Sequence, residues 1–415
     1  MARACSPLPA SGEGAGVRGG VRSLKTWSAL SGEHTLLRAL SFLYYGSMGA
    51  WVPYLNVYLQ QIGLSGLQIG VLTGLRPAAT LVSQPLWGVV ADLQGRRRTL
   101  LLTLALAALS LPGFAWGRSF WFLFVWSILY TSLSSPIGSL VDSLVLDYLE
   151  RKQHSSYGLF RMWGAIGWAV LTLTVGRALE GRDLRLVFAF GALLMGAGLL
   201  LALRTPRGLG GAGSLGATWK DAVLLLRNRR LVVFLVLITF LQVGASPAFS
   251  FYSIYMNELG ASRQLIGLAF AVLGLSELPL YLCAAGIMRR IGPARTLVVS
   301  FLLLALRSFL YSSVSQPVWA VVVQLAHGSL ALFLVASVEY VNRLVPGAWR
   351  ATGQSLLWAT QFGIGSVLGN SLAGFVYDRV GARAMFRLSG FTILAVALVA
   401  AFTLREFSAT SGAEL

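Results

Sequence analysis

The sequence predicts an all-α membrane protein with 12 transmembrane helices in two pseudo-symmetric six-helix bundles. Three observations carry that prediction. The 415 residues are 56% hydrophobic and only 12% charged, with a mean hydropathy of +0.71, too apolar for a water-soluble domain. The apolar residues fall into twelve runs, and a dozen spans of about 20 residues each would use roughly 240 residues and leave short connections. Finally, Tyr58-Leu-Gln-Gln-Ile-Gly63 followed by Ile69-Gly70 recurs as Tyr255-Met-Asn-Glu-Leu-Gly260 followed by Ile266-Gly267, an internal repeat at an offset of 197.

Taken in order, residues 1–34 are rich in Gly, Ser, Pro and Arg and read as a disordered cytoplasmic leader. Runs at 36–60, 66–91, 98–117, 119–149, 157–178 and 183–203 make a first bundle within 35–204. Residues 205–230 form the longest polar connection, a Gly-rich stretch passing into a short basic amphipathic segment, read as a cytoplasmic linker. Runs at 231–256, 264–287, 294–313, 317–344, 352–377 and 384–404 make the second bundle within 231–405, and 406–415 form a tail. Duplicated halves of this kind place a binding site at their interface near the bilayer midplane.

The net charge of +18 does not point to nucleic acid, because the basic residues sit between apolar blocks and act as topology signals. Alternate connections hold sixteen Lys and Arg residues against eight. The richer set includes the linker, which puts both termini in the cytoplasm and suggests a plasma (inner) membrane location. Two cysteines, Cys5 and Cys283, exclude a disulfide framework and a Cys-based metal site. No P-loop, HExxH, GxSxG or paired Cys/His cluster occurs, so neither an enzyme nor a metal or other cofactor is expected. The expected partners are a small-molecule solute and the lipid bilayer, with no nucleic acid and no obligate protein partner.

Ionisable side chains inside apolar runs are expensive unless paired or hydrated, so Arg76, Asp142, Asp147, Arg161, Glu277, Arg307, His327 and Glu339 form the functional shortlist. Glu277 lies mid-span before Pro279, which loosens the local helix. A carboxylate alternately buried and exposed links proton binding to conformation, which makes Glu277 the first proton-coupling candidate. Asp142 and Glu339, related by the same offset of 197, come next. The alternative for these two is a static salt bridge that fixes helix packing, and Asp147 reads as interfacial. Arg76, beside Pro77, either attracts an anionic solute or pairs with Asp142. Aromatic side chains with polar tips cluster in the first and seventh spans, where Tyr45 and Phe251 are the candidate cavity residues. Gly46, Gly49, Gly164, Gly167, Gly363, Gly365 and Gly369 recur at small-residue spacings suited to close, rocking helix contacts.

The loop Gly88-Val-Val-Ala-Asp92-Leu-Gln-Gly95-Arg96-Arg97-Arg98 resembles the GxxxDxxGRR signature of the major facilitator superfamily. Gly88 and Gly95 suit close helix approach and a tight turn, and Asp92 can pair with an Arg, so Gly88, Asp92, Gly95, Arg96 and Arg97 are expected to clamp one conformation. The second-half counterpart, Gly286-Ile-Met-Arg289-Arg290-Ile-Gly292, lacks the Asp. Tyr157-Gly-Leu-Phe-Arg161-Met-Trp-Gly164-Ala-Ile-Gly167-Trp168 resembles the fifth span of the lactose permease and phenylpropionate transporter branch, whose members are proton symporters. That resemblance implies solute contacts for Arg161 and Trp168. Their spacing of seven places both on one helix face, where an indole stacks on a ring and a guanidinium offers two hydrogen bonds.

Arg307 and His327 stand twenty residues apart, as do the arginine and histidine of the lactose permease type, and Glu277 resembles that type's acidic residue in the eighth span. The resemblance implies solute contact for Arg307 and His327. It also breaks down at two places: Gln324 stands where a lysine precedes the histidine, and Leu330 where an acidic proton carrier follows it, so lactose-type coupling does not simply transfer. His327-Gly328 and Ser276-Glu277-Leu278-Pro279 look more like the phenylpropionate branch. The expected function is secondary active transport of a sugar, nucleoside or aromatic acid by alternating access, coupled to a proton gradient as a symporter. Two rivals are a non-transporting receptor or scaffold that retains the fold and a drug-type proton antiporter.

Overall fold

A computed structural model describes residues 20–152, 157–205 and 225–404, and among them the regular structure is entirely helical. The first half comprises α1 (Gly20–Gln61), α2 (Gly66–Gln94), α3 (Arg96–Ser110) with a 3-10 turn at Leu111–Ala115, α4 (Phe120–Ser134), α5 (Ile137–Lys152), α6 (Tyr157–Ala178) and α7 (Leu186–Ala202). The second half comprises α8 (Arg229–Ala245), α9 (Pro247–Ser250), α10 (Tyr252–Glu258), α11 (Arg263–Ile291), α12 (Pro293–Ser313) and α13 (Pro317–Val323). A 3-10 segment at Gln324–Gly328 then leads into α14 (Ser329–Leu344), and α15 (Arg350–Trp358) continues through a π-helical stretch, Ala359–Gly365, into α16 (Ser366–Thr403).

Among the described residues, seven helical stretches are long and apolar enough to cross a membrane: Arg96–Ala115, Phe120–Leu149, Arg229–Ser250, Arg263–Ile291, Pro293–Ser313, Pro317–Leu344 and Thr352–Thr403. α1, α2 and α6 are helical where the sequence places further spans, and α7 is a shorter apolar helix of 17 residues. The 52 residues of Thr352–Thr403 would reach roughly 78 Å at 1.5 Å per residue, well over twice a bilayer core of about 30 Å. Gly381 breaks the helix there with φ 77° and ψ 174°, and the charged Asp378, Arg379, Arg383 and Arg387 flank the break, so this stretch is two helices joined at a kink.

The internal repeat has a structural counterpart at the same offset. Tyr58 donates to the carbonyl of Phe114 at 3.0 Å, and Tyr255 donates to that of Tyr311 at 2.7 Å. Ser65 caps α2 and Ser262 caps α11 by accepting backbone N–H groups, each cap contributing about 1 kcal/mol. Gly95 and Gly292, with φ 90° and 81°, close the turns after α2 and α11, a left-handed conformation that glycine adopts without strain.

Two apolar cores result. One fills the first half and runs on into Ala248–Leu273 and Ala373–Phe386 of the second, and the other lies wholly within the second half. The halves meet through α2 against α16 and α6 against α11, pairs exchanged by the repeat. α1 begins at Gly20, within the expected leader. Residues 1–19 of that leader, 206–224 of the expected linker and the tail from 405 lie outside the described residues.

Candidate functional site

The helix contacts between the halves gather at one end of the molecule, around the loops 61–66, 178–186, 258–263 and 377–383. A Cβ on Gly70 would lie 2.1 Å from the backbone oxygen of Asn370, and one on Gly267 would lie 2.3 Å from that of Thr172. The Ile-Gly repeat therefore marks two pseudo-equivalent points where backbones touch, a packing only glycine permits. Beside them sit two carboxylates. Asp378 accepts the N–H groups of Gly66 and Leu67 at 2.6 and 2.8 Å, and Glu180 accepts that of Gln264 at 3.3 Å. Each half thus places an acid on the N-terminus of a helix of the other, where the helix dipole favours negative charge. Arg263 answers by donating to the carbonyls of Leu179, at 2.5 Å, and Arg182.

Toward the opposite end the second half of α2 packs on α4 through Ser83–Ser135 and Trp87–Ser132, and that of α11 packs on α14 and the 3-10 segment before it. Val82, Leu86 and Leu93 are 70%, 64% and 80% exposed, and Leu282 is 85% exposed. The expected clamp lies at this end and is built differently from the sequence reading. Gly95 makes the turn, but Gly88 is exposed with no atom near enough to act as a close helix contact. Arg96 donates from Nη1 to both carboxylate oxygens of Asp147, at 3.0 and 3.1 Å, which makes Asp147 an acid partner of the clamp. Arg97 caps the end of α7 by donating to Leu203 O at 2.7 Å and Thr205 O at 2.9 Å. Asp147 lies on α5, outside the motif that holds the more conspicuous Asp92, and has no motif of its own to announce it.

Between the two ends, side chains from both halves form a polar centre. Arg307 is 3% exposed and donates to Ala248 O at 3.0 Å, to the hydroxyl of Tyr311 at 3.3 Å and to Nδ1 of His327 at 2.7 Å. A guanidinium has only donors, so Nδ1 must accept and the ring carries its proton on Nε2. That nitrogen donates to Glu277 Oε1 at 3.1 Å. Gly328 makes the approach possible, since a Cβ there would lie 2.3 Å from the backbone oxygen of Ser276. Tyr311 in turn donates to Gln324 Oε1 at 2.7 Å, joining Gln324, the residue standing in place of a lysine, to the network. Of the chain Arg307, His327 and Glu277, only Glu277, with a side chain 23% exposed, opens outward. Arg307 and His327 lie behind it and do not face a solute in this state.

From the first half, Arg161 approaches this centre with its side chain 52% exposed and Asp142 at 3.9 Å. It stacks 4.4 Å from the Tyr45 ring and donates to the Tyr45 hydroxyl. Glu277 and Tyr281 lie within its electrostatic reach across the divide. Asp142 therefore serves Arg161 and not Arg76. Trp168 shares the α6 face expected for it, but its indole N–H donates to Phe270 O at 3.0 Å and its ring packs over Gly274, which ties α6 to α11.

Two further expected residues leave the site. Phe251 is fully buried against Tyr377, with ring centroids 5.3 Å apart, because α9 and α10 turn it into the closed end. Glu339 accepts from Arg343 at 2.7 Å one turn along α14, an exposed pair of the kind that contributes only about 0.3–0.5 kcal/mol. A pocket of about 570 Å³ lies between α2 and α4 and is lined mainly by apolar residues, including Leu75, Val82, Leu86 and Ile128. None of the polar centre lines it. Among the described residues no group of His, Cys, Asp and Glu could hold a metal ion.

Residues 34–388 match the model of the MFS_1 like family. A maltose permease of Geobacillus stearothermophilus is 33% identical over 391 residues, covering 92% of this chain and 98% of that one. A melibiose permease of Enterobacter cloacae is 25% identical, covering 90% and 93%. A probable 3-phenylpropionic acid transporter of Escherichia coli is 24% identical, covering 82% and 90%. Among solved structures, the nucleoside transporter NupG superposes with a TM-score of 0.80 at 19% identity, covering 90% of this chain and 99% of that one, a likeness of fold.

Proposed function

The chain belongs to the MFS_1 like family, and from that premise we propose that it is a proton-coupled symporter of a small organic solute working by alternating access. In this reading twelve spans form two six-helix bundles, 35–204 and 231–405, with both termini cytoplasmic. The clustered helix contacts then close the outer end, and the separated halves of α2 and α11 open toward the cytoplasm.

The observation that carries the proposal is the relay Arg307–His327–Glu277, with Arg161, Tyr45 and Asp142 facing it from the other half. A carboxylate within the membrane is expensive when charged and unpaired. Here its charge is supported by a neutral imidazole N–H that a buried guanidinium holds in place. Protonation of Glu277 removes the charge that His327 is oriented to serve and lowers the cost of enclosing the site. A solute bridging Arg161 and Glu277 would contact both halves at once, which is the requirement for coupling its binding to their rocking. The solute class follows the relatives named above, a sugar, nucleoside or aromatic acid, with Arg161 and Tyr45 as its first contacts and Trp168 hinging the two helices behind it.

The test is solute-driven proton movement in lipid vesicles containing the purified chain and an internal pH-sensitive dye, screened with maltose, uridine and 3-phenylpropionate. A solute gradient should carry protons into the vesicles and acidify the lumen. Solute entry with no proton movement would overturn the coupling, and no entry of any solute would overturn the carrier reading.

A further inference from the structure

One cation of the polar region has no role in the relay. Arg76, in α2 beside Pro77, is half-buried, and its guanidinium carbon lies 4.8 Å from the centroid of the Trp51 ring. Trp51 is 1% exposed and stands edge-to-face on Tyr130 at 5.3 Å. The Nε of Arg76 and the indole Nε1 of Trp51 are both buried without a hydrogen-bond partner among the described residues. Both are donors only. Asp142, the acid that sequence offered as a partner, sits on Arg161 instead. Two donor atoms are therefore left without an acceptor beside a guanidinium braced on an aromatic face.

Charge counting points the same way. The central ionisable groups are Arg76, Arg161 and Arg307 against Asp142 and Glu277, with His327 neutral by the hydrogen-bond argument above. At the outer reaches of the spans, Arg96 with Asp147 and Arg343 with Glu339 cancel each other, and Arg38, near the start of the first span and away from this centre, lies over the Phe160 ring. One positive charge is left over, and protonating Glu277 would leave two. Enclosing an uncompensated guanidinium away from water is costly, and a neutral solute supplies nothing to offset it. A carboxylate does, because its two oxygens match the guanidinium fork and can also take an indole N–H.

We infer that the transported solute carries a carboxylate group, held by Arg76 with Trp51 as its stacking platform and second donor. The inference rests on the carrier reading and specifies its solute class. An acid bound here would restore the charge balance of the centre, leaving Arg161 and Tyr45 free to bind the remainder of the solute.

Thermal unfolding of the full chain in detergent micelles, measured with matched solute pairs, tests this, because a ligand that binds the folded state raises the unfolding temperature in proportion to its saturation. The pairs are glucuronate with glucose, and 3-phenylpropionate with its amide. The acid member of at least one pair should stabilise the wild type while its neutral partner does not. Arg76→Gln should weaken that response by tenfold or more in apparent affinity, with Arg76→Lys retaining part of it. Equal stabilisation by a neutral partner overturns the inference, as does no response to either acid. An unchanged response in Arg76→Gln protein that elutes as a single species with wild-type stability in the absence of solute also overturns it. Proton flux driven by maltose or uridine in both wild type and Arg76→Gln would sink this inference while leaving the carrier reading intact.

Discussion

Replacing Gly70 and Gly267 by alanine should push the closed end apart. A Cβ at either position would lie 2.1 or 2.3 Å from a backbone oxygen of the opposite half, over 1 Å inside ordinary contact. A backbone atom cannot swing aside as a side-chain tip can. The helices must separate instead, and overpacking of this kind costs about 1–3 kcal/mol. With the equilibrium between end-closed and end-open states shifting tenfold per 1.4 kcal/mol, a cost near 2 kcal/mol moves it roughly 30-fold for each substitution. The cost falls only on the state in which the helices touch, so stability should suffer little while the populations change. Spin labels on Gln61→Cys and Arg379→Cys, in a background with Cys5 and Cys283 replaced by serine, would read the separation by pulsed dipolar spectroscopy. The distance distribution should move to longer values in each single variant and further in the double. An unchanged distribution in correctly folded Gly70→Ala/Gly267→Ala protein would refute the argument that these glycines set the closed state.

Three other outcomes follow from the geometry. Asp378→Asn and Glu180→Gln each remove a charged acceptor from an exposed helix N-terminus, worth about 0.5–1 kcal/mol, so alkylation of a cysteine at Leu67 or Gln264 should quicken about two- to fivefold; an unaltered rate would show that the carboxylates do not latch this end. In a double-mutant cycle of Arg96→Gln and Asp147→Asn, the half-buried pair, in which Nη1 meets both carboxylate oxygens, should show a coupling of about 1 kcal/mol in unfolding, whereas a coupling near zero would mean that the pair is incidental. Glu339→Gln should leave transport unchanged and alter stability by no more than about 0.5 kcal/mol, and loss of proton coupling in that variant would return Glu339 to the site.

Most of the architecture could be read from the sequence because a bilayer forces backbone polar groups into helices, so the apolar runs that mark the spans also mark their helices. The repeat was legible for a related reason: Tyr58 and Tyr255, and Gly70 and Gly267, hold positions where one hydroxyl or one missing Cβ decides the packing. The relay was partly legible through the spacing of Arg307 and His327 and the mid-span position of Glu277. Which side chain faces outward was not, because exposure depends on the 3-10 segment at Gln324–Gly328 and on Gly328 meeting Ser276. The placement of Phe251 against Tyr377 and of Glu339 beside Arg343 was not legible either, because helix rotation decides which neighbours a side chain meets. Asp147 was set aside as interfacial and Asp378 was overlooked because each lies near a span end, where an acid looks like an ordinary interfacial charge.

Glu277→Gln tests the central claim most directly when two fluxes are measured in the same vesicles, using whichever solute the proton-flux screen identifies. An amide keeps an acceptor for His327 and the shape of the site but cannot exchange a proton at neutral pH. Solute-for-solute exchange needs the site to alternate while loaded and should persist, whereas uphill accumulation driven by an inward proton gradient should fall to the level of empty vesicles. Undiminished accumulation by Glu277→Gln would contradict the account, because the proton would then be carried by a group other than the one the relay from Arg307 through His327 is built to serve.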